Sequence, residues 1–157
     1  MRSTLTVLLL CLLGSGCGNY FAPDRNVKEA LAESDVIGRW KMTTNSLSLL
    51  TREGFRSEPA HSYTIQLHKD GTCLFQSVEA FATKGTYISA SGIWKLGHDI
   101  KRGDNARVKN VIQMELDVGG VTHLADLNFT RQDGVLMLWE LYGDPDQWEF
   151  IQYARDG

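Results

Sequence analysis

The chain has 157 residues, of which 43% are hydrophobic, and a formal net charge of −3 at pH 7. This length supports one domain around a single core and is too short for two ordinary domains. Lys and Arg are scattered along the sequence, which argues against nucleic acid as a partner because phosphate contacts need a concentrated basic face.

The first sixteen residues have the order of an export signal. Arg2 precedes an apolar run over residues 5–13, and the small residues 14–16 lead directly into Cys17. The apolar run is too short to cross a hydrocarbon core of about 30 Å as a helix, so a signal peptide is favoured over a membrane span. The small residues before Cys17 resemble the lipobox of bacterial lipoproteins. That resemblance implies cleavage before Cys17 and lipidation of its thiol, with ordinary secretory cleavage nearby as the alternative.

The lipobox resemblance sets the expected organisation of the chain. Residues 1–16 would be a signal peptide, 17–23 a lipidated tether and 24–157 the folded domain. The expected partner is the membrane of a bacterial cell envelope, reached through the lipid anchor, and Gly18 after the cysteine implies the outer membrane of a Gram-negative cell. Removal of the signal and anchor cysteines leaves Cys73 without an intramolecular disulfide partner, so the domain must rely on its core for stability.

The domain reads as mostly β. Asn26 and Glu29 have the spacing of a capping box, which predicts a short helix over residues 27–33. After Asp35 the apolar residues recur at every second position, as in a strand, and tight Gly-containing turns separate these alternating segments. About eight strands are predicted, over residues 39–50, 62–68, 72–78, 86–96, 108–118, 121–131, 135–142 and 148–154. Because closure removes both sheet edges, we predict an antiparallel up-and-down barrel, with an open sheet or sandwich as the alternative.

Alternation along each strand assigns the inward side chains. The seventh strand is predicted to point Met137 and Trp139 inward and Glu140 into solvent. The full inward set is Trp40, His61, Tyr63, Ile65, Leu67, Cys73, Phe75, Ile88, Trp94, Leu96, Ile112, Met114, Leu116, His123, Leu127, Phe129, Met137 and Trp139. Such an interior holds few acids and bases, which argues against general acid-base catalysis. No catalytic residue, metal site or cofactor is predicted, since the four histidines lack metal-ligand spacing.

Two Gly-x-Trp units, at residues 38–40 and 92–94, carry a second resemblance. Together with residues 37–41, 67–72, 91–96 and 144–146 they resemble the loose pattern of bacterial lipocalin-like domains. The resemblance implies an eight-stranded barrel with a binding habit, in which Trp40 closes the floor and Arg155 packs over its indole.

A barrel of eight strands is either filled by its own side chains or just wide enough for one small ligand. The favoured expectation is a non-enzymatic, membrane-anchored protein that binds a small apolar molecule through Trp94, Met114, Phe129 and Met137. The mouth would then lie between residues 51–60 and 79–85. The alternative is a filled barrel that serves as a structural or protein-interaction module with an unidentified protein partner.

Overall fold

In a computed structural model the residues described are 25–55, 62–78, 87–102, 106–142 and 149–157. The predicted signal peptide and tether lie outside them, as does the 144–146 motif. Each strand pairs antiparallel with the next and the last pairs with the first, which closes an eight-stranded up-and-down barrel. This confirms the predicted architecture. The strands are β1 Gly38–Met42, β2 Thr64–Leu67, β3 Thr72–Val78, β4 Tyr87–Arg102, β5 Ala106–Val118, β6 Val121–Gln132, β7 Val135–Leu141 and β8 Phe150–Arg155.

The tight turns follow the local chemistry that predicted them. Gly71 adopts a φ of 83° at the β2–β3 turn, a conformation that glycine reaches without steric cost. The carboxylate of Asp70 accepts hydrogen bonds from the backbone N–H and the hydroxyl of Thr72, at 3.0 and 2.7 Å. The β6–β7 turn repeats the Asp-Gly pair, with positive φ at both Asp133 and Gly134.

The first helix is displaced from its predicted position. Helix α1 spans Glu33–Val36, whereas residues 27–31 carry no helix. The prediction of a helix over 27–33 is therefore wrong. The Asp35 carboxylate accepts the backbone N–H of Ala32 at 2.8 Å, so the helix begins later in the chain than the Asn26–Glu29 spacing suggested.

The first strand is shorter than predicted because a second helix interrupts it. Strand β1 ends at Met42, and helix α2 covers Thr44–Arg52. The hydroxyl of Thr43 accepts the backbone N–H of Ser46 at 3.3 Å and caps the helix. Leu50 is fully buried against the main core. Among the described residues, no helix is long and apolar enough to cross a membrane.

Strand β7 faces the opposite way from its prediction. Leu138 pairs with Phe129 and Tyr153, and all three belong to the main core. Met137 instead pairs with Thr130 and Ala154 and lies on the outer face of the sheet.

The same parity governs the rest of β7. Glu140 pairs with the core residue Ile151 and points inward. Trp139 and Leu141 form a separate cluster outside with Phe150. The inward assignments of Met137 and Trp139 and the outward assignment of Glu140 are thus wrong, because both faces of this strand are buried.

Candidate functional site

Three of the four predicted ligand-binding residues share the barrel interior. Trp94 pairs with Met114, and its indole N–H donates to the carbonyl oxygen of His68 at 2.9 Å. Phe129 is fully buried in the same core. Met137 is not among them, since it lies on the outer face. Apart from Trp139, the other described residues of the predicted inward set also face the interior. Most of them belong to the core, and Leu96 packs against it. His123 pairs with the inward Leu116.

The floor of the barrel forms around Trp40. Its indole N–H donates to the carbonyl oxygen of Val36 at 2.9 Å, and the ring is fully buried. The guanidinium carbon of Arg155 lies 5.7 Å from the ring centroid, within the range of a cation–π contact. Arg155 also donates to the carbonyl oxygens of Asp35 and Ile37. One side chain therefore ties the last strand to α1 and to the start of β1.

The position of the Arg155 guanidinium requires a glycine at residue 38. Its φ is 139°, and a Cβ placed there would approach a guanidinium nitrogen of Arg155 to 3.1 Å. A larger residue would therefore have a strained backbone and would be crowded by the Arg155 side chain. The glycine of the first Gly-x-Trp unit is thus explained by its contact with Arg155.

The segment before α1 closes the same end of the barrel. The side-chain amide of Asn110 donates to the carbonyl oxygens of Val27 (3.1 Å) and Glu29 (2.8 Å), and its oxygen accepts the N–H of Leu31 (3.0 Å). Val27 and Leu31 are buried in the core. The backbone N–H of Val27 donates to the carbonyl oxygen of Phe129 at 3.0 Å. Residues 27–31 therefore pack at the floor without helix or strand structure, with three hydrogen bonds to the buried Asn110.

The opposite end of the barrel carries α2 and a row of aromatic rings. The hydroxyl of Ser46 accepts the backbone N–H of Gln152 at 2.8 Å, which joins the helix to β8. Tyr63 makes edge-to-face contacts with Phe55 and Tyr87, with ring centroids 6.1 and 5.6 Å apart. The predicted mouth between residues 51–60 and 79–85 falls largely outside the described residues.

Sequence reasoning missed a polar group inside the barrel. The hydroxyl of Tyr153 donates to Oε1 of Glu140 at 2.9 Å, and the hydroxyl of Ser77 lies 2.7 Å from that of Tyr153. Tyr153 and Ser77 are fully buried, while Glu140 retains 7% exposure. We call Glu140, Tyr153 and Ser77 the interior triad.

Burial controls the protonation of the interior triad. Desolvation raises the pKa of Glu140 from 4.5 to about 8, and the hydrogen bond from Tyr153 opposes that shift. Burial and the neighbouring Glu140 raise the pKa of Tyr153 well above 10. At neutral pH the carboxyl is therefore mostly protonated and can donate as well as accept hydrogen bonds.

Cys73 also lies in the interior, where burial raises the pKa of its thiol to about 11. A thiol with so little thiolate at neutral pH is a poor nucleophile. Within the described ranges, no three His, Cys, Asp or Glu side chains are grouped so as to hold a metal ion. The interior triad is thus the chemically distinctive feature of the barrel.

One sequence signal for Glu140 was present. The residues from 135 to 141 are apolar apart from this carboxyl, and a continuous apolar run is typical of a strand buried on both faces. A carboxyl within such a run is buried whichever face it occupies, so alternation was the weaker guide.

The fold and the site together define a class of protein: a closed, eight-stranded antiparallel barrel whose described interior is mostly apolar and holds a carboxyl–phenol–hydroxyl group. No protein-family model, curated protein or solved structure matches the chain.

Proposed function

We propose that this chain is a lipid-anchored lipoprotein of the bacterial cell envelope whose lipocalin-like barrel binds a small, largely apolar molecule. The observation that carries the proposal is the apolar interior that Trp94, Met114 and Phe129 share inside a closed barrel. Eight strands enclose enough room for one small ligand when the interior is not wholly filled. The Arg155–Trp40 contact at the floor supports the lipocalin-like assignment.

Binding is favoured over catalysis by the surroundings of Glu140. The inward positions around it on β6, β7 and β8 are Leu127, Leu138 and Ile151, all fully buried and apolar. Acid-base catalysis needs a second positioned group of matched pKa. Tyr153 cannot act as that second group, because its raised pKa keeps the phenol protonated. We therefore propose a protein that is not an enzyme.

The anchor is tested at Cys17. Attached acyl chains contribute about 0.8 kcal/mol per buried CH₂, so the two or three chains of a processed lipoprotein hold it stably on a membrane. We expect Cys17→Ser to move the protein to the soluble fraction and to abolish incorporation of radiolabelled palmitate. Ser15→Ala, which keeps a small residue before the cysteine, is the matched control and should leave the protein membrane-bound. A wild-type protein without label, or a Cys17→Ser protein that stays on the membrane, would contradict the anchor.

Ligand binding is tested by filling the interior. The Cys17→Ser chain should change its tryptophan fluorescence when titrated with uncharged lipophiles. Met114→Trp places a larger side chain beside Trp94 and should weaken the response, at an overpacking cost of about 1–3 kcal/mol. Glu115→Trp is the matched control, because the next residue of β5 is exposed on the outer face and should leave binding unchanged. Circular dichroism would verify that each variant is folded.

A second candidate function has an observation of its own. Ile93 and Leu124 are 57% and 80% exposed on the outer face and stand on either side of Glu115 in the register of β4, β5 and β6. An exposed apolar patch of this kind is typical of protein-interaction surfaces. Flat titrations across several lipophile classes, together with a native mass spectrum free of small molecules, would favour this interaction module with a filled barrel.

A further inference from the structure

We propose that the barrel selects its ligand by head group, and that Glu140 pairs with a lipophilic amine while excluding fatty-acid-type anions. This proposal rests on the proposed function, because it names the class of molecule that the interior takes. The proposal is based on the position of the interior triad, which places a carboxyl among apolar side chains. Those side chains can pack against an alkyl chain but cannot form hydrogen bonds or ion pairs with a head group.

The geometry makes the carboxyl the group of the interior triad that a ligand meets. Tyr153 and Ser77 are fully buried, whereas Glu140 keeps 7% of its surface accessible. Within the described residues, the hydrogen bond from Tyr153 engages Oε1, so Oε2 is the oxygen with which a ligand can pair. Ser77 and Tyr153 fix the orientation of the carboxyl from β3 and β8. The acceptor is therefore held in place before a ligand arrives.

The charges around the interior favour a cation over an anion. Two basic side chains stand at inward positions of β6 and β8 in the described part of the chain, and both lie at the closed end. Arg131 pairs there with Glu29 at 2.8 Å, and Arg155 covers Trp40. Neither is placed to neutralise a ligand carboxylate beside Glu140. Fatty-acid anions would thus enter an apolar site without a counter-charge, which is strongly unfavourable.

Several other titratable groups stand on the inward faces of the strands or at the α2 end of the barrel. Just after β7, burial of Tyr142 raises the pKa of its phenol, and the negative charges of Glu53 and Glu149 add to that shift. Arg52 forms ion pairs with both of these carboxylates, and the guanidinium of Arg25 lies over the ring of Phe150 at the same end. Further along the inward face of β6 stands His123. Tyr63 and Cys73 lie in the core, where burial raises the pKa of the Cys73 thiol to about 11. His98 stands at an inward position of β4, beyond Leu96, and is exposed.

Binding an amine changes the protonation of the site. An alkylammonium arriving at neutral pH pairs best with an ionised Glu140, so the carboxyl gives up its proton to solvent and one proton leaves per ligand bound. Because burial raises the pKa of Glu140 to about 8, this proton is still present on the free protein at pH 6–7. The affinity for the amine should therefore increase with pH, by up to about tenfold per unit, until Glu140 is ionised without a ligand.

Three probes with one alkyl chain separate the possibilities: dodecylamine, dodecanol and dodecanoate, each below its micellar concentration, titrated into the full Cys17→Ser chain. We expect dodecylamine to bind at least about tenfold more tightly than dodecanoate, since an ion pair replaces an uncompensated charge. Calorimetry in two buffers of different ionisation enthalpy should show a proton released with the amine at pH 6.5 and none with the alcohol.

Glu140→Gln isolates the carboxyl, because the amide keeps an oxygen for Tyr153 but cannot ionise. The variant should lose the amine preference and its pH dependence while its affinity for dodecanol stays within about threefold. Glu115→Gln removes the same charge from the exposed outer face of β5 and should leave the ranking of the probes unchanged.

The outcomes separate the two proposals. Tightest binding of dodecanoate, or amine binding that is independent of pH and releases no proton, would overturn the head-group assignment while leaving lipophile binding intact. Failure of the folded wild type to bind all three probes would instead overturn the proposed function. The pH series and the proton count use the wild-type interior, so they decide the question even if Glu140→Gln does not fold.

Discussion

Replacing Trp40 by alanine should lower the free energy of unfolding by about 3–5 kcal/mol, the usual cost of deleting a buried aromatic side chain. The indole is fully buried, donates to the carbonyl oxygen of Val36 and carries the guanidinium of Arg155 above it. Its loss leaves a cavity at the floor, removes the hydrogen bond that ties β1 to α1 and takes away the ring over which Arg155 lies. The expected loss is a large part of the stability of a single domain. Denaturant unfolding of the Cys17→Ser chain, followed by circular dichroism, measures it.

Two further variants make the Trp40 result specific. Ile93→Ala truncates an apolar side chain that is mostly exposed on the outer face of β4. It should change the free energy of unfolding by no more than about 0.5 kcal/mol. Trp40→Phe keeps part of the buried ring but loses the hydrogen bond to Val36, so its cost should fall between the other two. A loss below about 1 kcal/mol for Trp40→Ala would show that the floor does not depend on this residue.

The barrel was predictable from the sequence because its determinants are local. Asp70 and Gly71 fix a tight turn through their own backbone preferences, and the strand that follows begins and ends where alternation placed it. The strict alternation of β5 likewise identified Ile112 and Met114 as inward residues. Once several antiparallel strands are joined by such turns, closure is the simplest way to remove exposed edges.

The errors arose where distant contacts override local pattern. Residues 27–31 have the spacing of a helix start but form no helix, and Asn110, 79 to 83 residues away in the chain, takes their backbone hydrogen bonds instead. Alternation could not orient β7, because Trp139 on its outer face is as buried as Leu138 on its inner face. Helix α2 also escaped detection, since Thr43 acts as its cap within a segment that otherwise resembles a continued strand.

The misplaced face of β7 matters most for function. It concealed Glu140, the buried carboxyl on which the proposed head-group selection rests. Alternation predicts Met137 in the binding wall instead, but Met137 pairs with Thr130 and Ala154 on the outer face. An error of one residue in the phase of alternation therefore hid a buried carboxyl from the predicted interior.

The stability of the protein should fall as pH rises from about 5 to 8, and Glu140 is the expected cause. Its pKa in the folded chain, about 8, lies above its ordinary value of 4.5. Between these values the folded state holds a proton that the unfolded state has released, so each increase in pH favours unfolding. The contribution is complete below about pH 4.5 and is lost as the pH passes 8. The maximal slope is about 1.4 kcal/mol per pH unit, or several kcal/mol over the window.

Glu140→Gln should remove this dependence. Gln cannot ionise, yet its side-chain oxygen can still accept the hydroxyl proton of Tyr153, so the interior triad keeps its geometry. We expect the stability of wild type relative to the Gln variant to decrease steadily from pH 5 to 8.5, with the variant the more stable protein at the alkaline end. Urea unfolding of both chains at each pH measures the difference, and titrations of other groups cancel between them. Glu115→Gln, on the exposed face of β5, should run parallel to wild type. Parallel curves for wild type and Glu140→Gln would mean that Glu140 is ionised in the folded barrel, and the uncharged interior inferred for the free protein would then be wrong.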